Sequence, residues 1–374
     1  MTFRENVNAI LHYENYDRMP LVSFGYWNET VDKWAAEGHI TREEADSYNR
    51  TGDNGWGDRQ IMQKLGFDFN WNSCIGSNTL LDPCFPHAVL EERSDGSRVI
   101  RDGLGLICMV KPGITSIPAM LGTTLTDRKA WEEQYLPRLQ MNSRRVPVEA
   151  VKALPAPEQR DIPQGLHLGS LVGHMRDMLS LEEMSILYVE DEDLYREVAE
   201  TICGLCYDCA KVMLDTGVRF DYAHFWEDIA CKNGPLVWPH VVEELAGPWY
   251  RKLTDLVRSY GIDIVSVDCD GMIDKLIPIW LDNGVNTMFP IEVGTWNASI
   301  APWREKYGRE LRGVGGMNKN VFARDKAAVE AEVERLKPLM DLGGYIPCPD
   351  HRIAPDAKFE LVQYYCELMN NMNL

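Results

Sequence analysis

From about residue 165 onward the chain alternates short apolar runs with longer amphipathic segments, and glycine follows helix after helix. This rhythm constrains the fold more than any other feature. "GLHLGSLVG" (165–173), "RFDYAHFWED" (219–228), "IDIVSVDCDG", "VNTMFPIE", "LRGVGGMN" and "GYIPCPDH" read as strands. Between and after them lie helical stretches: one ending near "VMLDTGV", one over 241–261, "MIDKLIPIWLDNG", "RDKAAVEAEVERLKPLMDLG" and "PDAKFELVQYYCELMNNM". Their apolar residues recur at helical spacing. Gly217, Gly261, Gly284, Gly308 and Gly343 stand where C-caps belong. Repeated βα units imply a parallel sheet with helical crossovers. Enough are present for an α/β fold of the (β/α)₈ TIM-barrel type.

The first 165 residues are less regular. "RMPLVSFGYW" (18–27) fits a first strand, 29–66 reads as helical, and "SRVIRDGLGLICMVKPG" (97–113) as a hairpin decorating the barrel. No Gly-, Ser- or Pro-rich linker divides the chain. One domain over 1–374 is expected, irregular over 1–165 and regular over 166–374, with an N-terminal helical and hairpin elaboration.

Charge narrows the partners. The net charge of −19 leaves no basic face for a nucleic acid. No apolar run approaches a membrane span, and the charged start "MTFRENVNAILHYENYDRMP" has no signal-peptide core. A cytoplasmic location follows as the expectation, and the ten cysteines then read as reduced thiols. Cys203, Cys206 and Cys209 in "CGLCYDC" fall on one helix face and read as core.

In a parallel barrel, chemistry gathers at the C-terminal strand ends. Those ends carry His224, Trp226, Glu227 and Asp228; then Asp268, Cys269 and Asp270; then Glu292; then Met317 in "GGMNKN"; and finally Cys348, Asp350 and His351. Such oxygen, nitrogen and sulfur donors suit either a divalent metal or a metal-free acid/base site. The plainer alternatives are that Asp268 and Asp270 cap the helix starting near Met272 and that Glu227 supports a helix N-terminus. Tyr26, Trp27 and Trp226 would give the rim flat rings for an organic ligand.

The stretch from 219 to the C-terminus resembles the uroporphyrinogen decarboxylase superfamily. The motifs are "WEDIACKNGPLVWP", "VDCDGMIDKLIPIWLDNGVNTMFPIEVG", "WREKYGRELRGVGGMNKN" and "GGYIPCPDH". The resemblance implies a TIM-type barrel and two chemistries, porphyrinogen decarboxylation or methyl exchange with a corrinoid protein. The decarboxylase branch carries an Arg-rich stretch near its first strand. Here "RMPLVSFGYWNET" offers one Arg followed by apolar and aromatic residues. Thiol-methylating members hold zinc through His-x-Cys-Gly and a later Cys. Aligned on Gly271, Asp268 takes the His position and Asp270 the Cys position, with the later Cys near Cys348 and His351.

Two carboxylates harden such a site toward an oxygen donor. The expected function is therefore a corrinoid-dependent methyltransferase, an O-demethylase component moving a methyl from a methoxylated small molecule to a separate corrinoid protein. No Asp-x-His-x-x-Gly cobalamin signature occurs in the chain itself. Glu227, Asp268, Asp270 and His351 are the expected catalytic residues. Tyr26, Trp27, His224, Trp226, Glu292 and Met317 are the expected substrate contacts. Asp268, Asp270, Cys348 and His351 are the expected ligands of a Zn²⁺. A homodimer is one assembly open to it. A lyase on a small carboxylate, a methylcorrinoid:thiol methyltransferase and a non-catalytic barrel remain the competing classes. The lyase would need a basic anchor such as Arg176, Lys319 or Arg352.

Overall fold

The computed structural model describes residues 1–111 and 118–372. Its frame is a seven-stranded parallel sheet. In space the strands run Tyr345–Pro349, Arg312–Met317, Thr287–Phe289, Val265–Asp268, Tyr222–Trp226, Gly165–His167 and Cys74–Ile75. Helices join successive strands, among them Glu192–Leu214, Gly247–Ser259, Ile300–Tyr307 and Lys326–Met340. Val265–Asp268 is buried at every position, as a sheet covered on both faces requires.

The first strand, Val22–Ser23, pairs in parallel with Phe69–Asn70. Residues 69–75 therefore touch both sheets, the first strand through Phe69–Asn70 and Gly165–His167 through Cys74–Ile75. On its other side the first strand's extension meets the end of the last strand, with Tyr26 and Ile353 forming a parallel bridge. The Ile353 N–H donates to the Gly25 carbonyl at 3.0 Å, and the Trp27 N–H donates to the Ile353 carbonyl at 3.2 Å. This crossing depends on Gly25. Its φ is +81°, and a Cβ there would lie 2.5 Å from Asp53 Oδ1.

Most sequence-based elements recur with shorter bounds. The single helix expected over 241–261 is two, Pro239–Leu245 and Gly247–Ser259. Pro248 explains the break, because proline lacks the N–H a continuous helix would need there and is tolerated only in a first turn. The helical stretch 29–66 is three helices, Asn28–Ala36, Arg42–Thr51 and Trp56–Leu65. The second opens on a reciprocal Thr41–Glu44 capping box. The hairpin expected over 97–113 supplies Arg98–Arg101 and Leu106–Val110 to a four-stranded antiparallel sheet with Ala88–Glu92 and Ala119–Thr123; positions 112 and 113 lie outside the described residues. The five C-cap glycines all have positive φ, from 64° to 89°. Cys203, Cys206 and Cys209 are buried in one helix, and all ten cysteines are free thiols. Among the described residues no helix is long and apolar enough to cross a membrane.

Candidate active site

A cavity of about 620 Å³ opens at the C-terminal ends of the parallel strands. The register explains its floor. Asp268, the last residue of its strand, sits between Trp226 on one neighbouring strand and Phe289 on the other. The chain then turns sharply through Gly271, whose φ is +87° and whose Cβ would clash with the Cys231 backbone at 2.6 Å. That turn brings Asp270 back over the strand ends. His351 arrives two residues after the last strand, and the bridge at Tyr26 lays Trp27 against it. The indole and imidazole stack with centroids 5.5 Å apart and planes 26° apart.

One wall is acidic. Asp228, Asp268 and Asp270 all line the cavity, with His351 beside them. His351 Nε2 lies 3.1 Å from Asp270 Oδ2. Burial alone would lower the His351 pKa, but the hydrogen bond and charge of Asp270 raise it above its ordinary 6.5. Burial pushes Asp268 well above the usual carboxylate range, and the charges of Asp270 and Asp228 push it further. Asp228 is raised by burial despite its 2.9 Å pair with Arg176. Asp270, Glu292 and His351 each offer a ligand atom, and these atoms lie within 4.8 Å of one another.

The rest of the lining is neutral or charge-paired. Arg352 holds Asp53 through contacts of 2.6 and 3.0 Å, and both line the cavity. His167 and His224 also line it, their rings 5.9 Å apart edge to face. Phe24 and the half-exposed Trp226 complete the aromatic surface.

The structure separates several residues that sequence reasoning grouped. Glu227 is absent from the cavity wall. It is fully buried and accepts five hydrogen bonds, from the Ser170 and Tyr250 hydroxyls and the backbone N–H groups of Leu171, Val172 and Gly173, at 2.6–3.1 Å. It anchors the start of the helix Gly173–Leu179 and so lies off the cavity wall, where a catalytic role had been expected of it. Tyr26 likewise lies off the cavity wall. The positive φ at Gly25 breaks strand alternation, and the Tyr26 ring packs inward against Trp34 and Tyr48. Met317 is fully buried at its strand end and does not line the cavity. Cys348 is fully buried, its thiol pushed up by burial and by the charges of Asp350 and Asp268. Neither Cys348 nor Asp268 belongs to the three-donor group, which Glu292 joins instead. Glu292 is positioned by the Gly271 N–H at 2.6 Å and the Thr295 hydroxyl at 2.8 Å.

His167, Phe24, Asp53 and Asn72 line the cavity without having been expected to. A signal existed for His167, since it closes the strand in "GLHLG" and strand-final polar residues face a barrel mouth. Asp53 follows a helix and Asn72 sits in a bend, so neither had a periodic signature.

No family model matches the chain, and comparison with curated proteins gives no match. Solved structures do share the architecture. A methyltransferase from Methanosarcina mazei aligns over 99% of this chain and 98% of its own, with TM-score 0.59 and 15% identity. A B12-independent methionine synthase from a Shewanella species aligns over 94% and 97%, with TM-score 0.48 and 11% identity. A protein described as a vitamin-B12-independent methionine synthase from Listeria monocytogenes aligns over 95% and 97%, with TM-score 0.39 and 12% identity. The first shows a shared fold, a mixed α/β arrangement around a parallel sheet; the other two, below 0.5, add no argument.

Proposed function

We propose that this chain transfers a methyl group from the oxygen of a methoxylated small molecule, and that its eight strands, counting residues 69–75 as one bent strand, form a closed barrel. One observation carries the functional reading. A buried carboxyl whose pKa is pushed well above the usual carboxylate range, Asp268, shares a strand-end cavity with a carboxylate–imidazole group and an aromatic wall. An ether oxygen leaves poorly unless it is protonated or coordinated, and this cavity offers both means.

The residues act as follows. Trp27, Phe24 and Trp226 pack the organic body of the substrate. Asp268 gives its proton to the ether oxygen as the carbon–oxygen bond breaks. Oxygen keeps the bonding pair, and the product is an alcohol or phenol. Asp268 is left ionised and takes a proton from water before the next turnover. The nucleophile that accepts the methyl would come from a reduced corrinoid carried by a separate protein docked at the cavity mouth. Asp270, Glu292 and His351 fit a divalent cation such as Zn²⁺. Asp270 Oδ1 is buried with no hydrogen-bond partner, and two oxygens and one imidazole nitrogen form a usual donor set. A bound cation there supplies Lewis acidity toward the leaving oxygen.

The competing classes find less support. Arg352 is the one Arg or Lys of the cavity wall among the described residues, and Asp53 already occupies it. Arg176 is taken by Asp228 and Asp177, and Lys319 lies 3.9 Å from Asp350. A substrate carboxylate would thus lack a free basic anchor. A thiol methyltransferase would call for sulfur among the three donors, and there is none. The test is incubation of the purified chain with a reduced corrinoid protein and a panel of methoxy compounds, reading methyl transfer spectroscopically. Absence of transfer to any member, with the cavity residues intact, ends this reading.

A further inference from the structure

The neutral wall of the cavity contains an arrangement that the methyl-transfer step does not use. His167 Nδ1 accepts the Gly169 backbone N–H at 3.0 Å. A ring nitrogen that accepts a backbone N–H carries no proton, so in the neutral ring the proton sits on Nε2. His167 is neutral because burial, helped by nearby His174, lowers its pKa to about 4. Its Nε2 is therefore a donor.

His224 is set the other way. It is fully buried, and burial with His167 beside it lowers its pKa well below 6.5. Its Nδ1 lies 2.6 Å from the Ser266 hydroxyl oxygen. The tautomer follows where the Ser266 hydroxyl sends its proton, and the pair requires the Ala223 carbonyl, 3.4 Å away, to take it. The Ser266 oxygen then receives the Nδ1 proton of His224. That leaves His224 Nε2 as an unprotonated acceptor, and it is buried in the cavity wall without any partner. An unpaired buried polar atom is costly unless something fills it. The two ring centroids are 5.9 Å apart. Both rings therefore border the same part of the cavity.

We propose that His167 and His224 form a recognition pair for an uncharged hydroxyl of the substrate, the first donating to its oxygen and the second accepting its proton. This rests on the methoxy-substrate reading above and narrows it to hydroxylated methoxy compounds, methoxyphenols first among them. A carboxylate would meet one donor and one repelling lone pair. An ether or a hydrogen at that position would leave His224 Nε2 unpaired.

The test uses the full chain and calorimetric binding of methoxybenzene, the three methoxyphenol isomers and 2-methoxybenzoate. At least one methoxyphenol is expected to bind roughly tenfold tighter than methoxybenzene, as two neutral hydrogen bonds allow. That advantage, taken as the ratio to methoxybenzene within each protein, is expected to fall to about twofold or less in His167→Ala and in His224→Ala. His167→Asn and His224→Gln stand in for either variant that fails to fold by circular dichroism. Equal binding of all the compounds, an advantage that survives both substitutions, or tightest binding by the carboxylate overturns the pair. Methyl transfer to reduced cobalamin is read in parallel. Transfer without hydroxyl preference removes the pair and leaves the methyltransferase reading standing. Hydroxyl preference without transfer does the reverse, and no binding by any compound removes both.

Discussion

His351 Nε2 lies 3.1 Å from Asp270 Oδ2, although 81 positions separate the two residues in the chain. Glu292, from a third strand end, brings another carboxylate oxygen into the same group. Three consequences follow for metal binding. Chelator-free protein should carry about one divalent ion per chain by elemental mass spectrometry. His351→Ala should lose it, because two carboxylates alone make a poor zinc site. Asp270→Asn should weaken affinity by at least tenfold. Full metal occupancy in His351→Ala would move the ion elsewhere in the molecule.

Glu227 tests the difference between a carboxylate that reacts and one that holds. Its oxygens take hydrogen bonds from three successive backbone N–H groups and two hydroxyls. Replacing it by alanine strands those donors in the interior, at about 3–5 kcal/mol. Glu227→Ala should therefore melt far below wild type. Whatever fraction remains folded at low temperature should keep near-normal turnover per folded molecule. A variant of native stability with abolished turnover would return Glu227 to the reaction.

Much of this arrangement was legible in the sequence. The βα rhythm and the C-cap glycines locate the strands, and strand ends locate the cavity, so Asp268, Asp270, His351, His224, Trp27 and Trp226 emerge from pattern alone. Glu227 and Asp228 are adjacent in the chain yet do opposite things. Asp228 has a φ of +47°, which sends its side chain to the cavity while Glu227 turns into the helix start. No periodicity encodes such a local reversal. Asp53 reaches the cavity only because Arg352, 299 residues away, pulls against it. Tyr26 lies off the cavity for the same kind of reason, since one glycine dihedral decides which aromatics of "FGYW" line it.

Asp268 should show the stability–activity trade-off of a working acid. It is buried, and burial first and then two neighbouring carboxylates push its pKa well above the usual carboxylate range. Asp268→Asn preserves shape and removes the transferable proton. Turnover of a methoxy substrate should fall by about 10²–10³-fold. The melting temperature at pH 8 should hold or rise, since the amide carries no ionisation penalty. Retained turnover in this variant would shift the acid role to the His351 group.

Asp58 gives the chain a pH dependence from a carboxyl that does not line the cavity. Its carboxyl is fully buried; Oδ2 accepts the Asn54 N–H at 2.8 Å, while Oδ1 has no partner. Burial first, and the charge of Asp53 second, raise its pKa from 3.8 to about 7. Below pH 3.8 the carboxyl is protonated whether the chain is folded or not, and makes no difference. Between there and about 7 the unfolded chain ionises it while the folded chain keeps the proton. Stability therefore falls as pH rises through this window, by on the order of 4 kcal/mol at full extent. Above about 7 the loss is complete and constant. Asp58→Asn keeps the acceptor for Asn54 and cannot ionise. It should raise the melting temperature by about 5 °C at pH 8 and leave it nearly unchanged at pH 4. Thermal unfolding of both proteins across pH 4–8 reads the difference directly. An equal shift at every pH would mean that the amide acts by packing and that Asp58 does not titrate in this range.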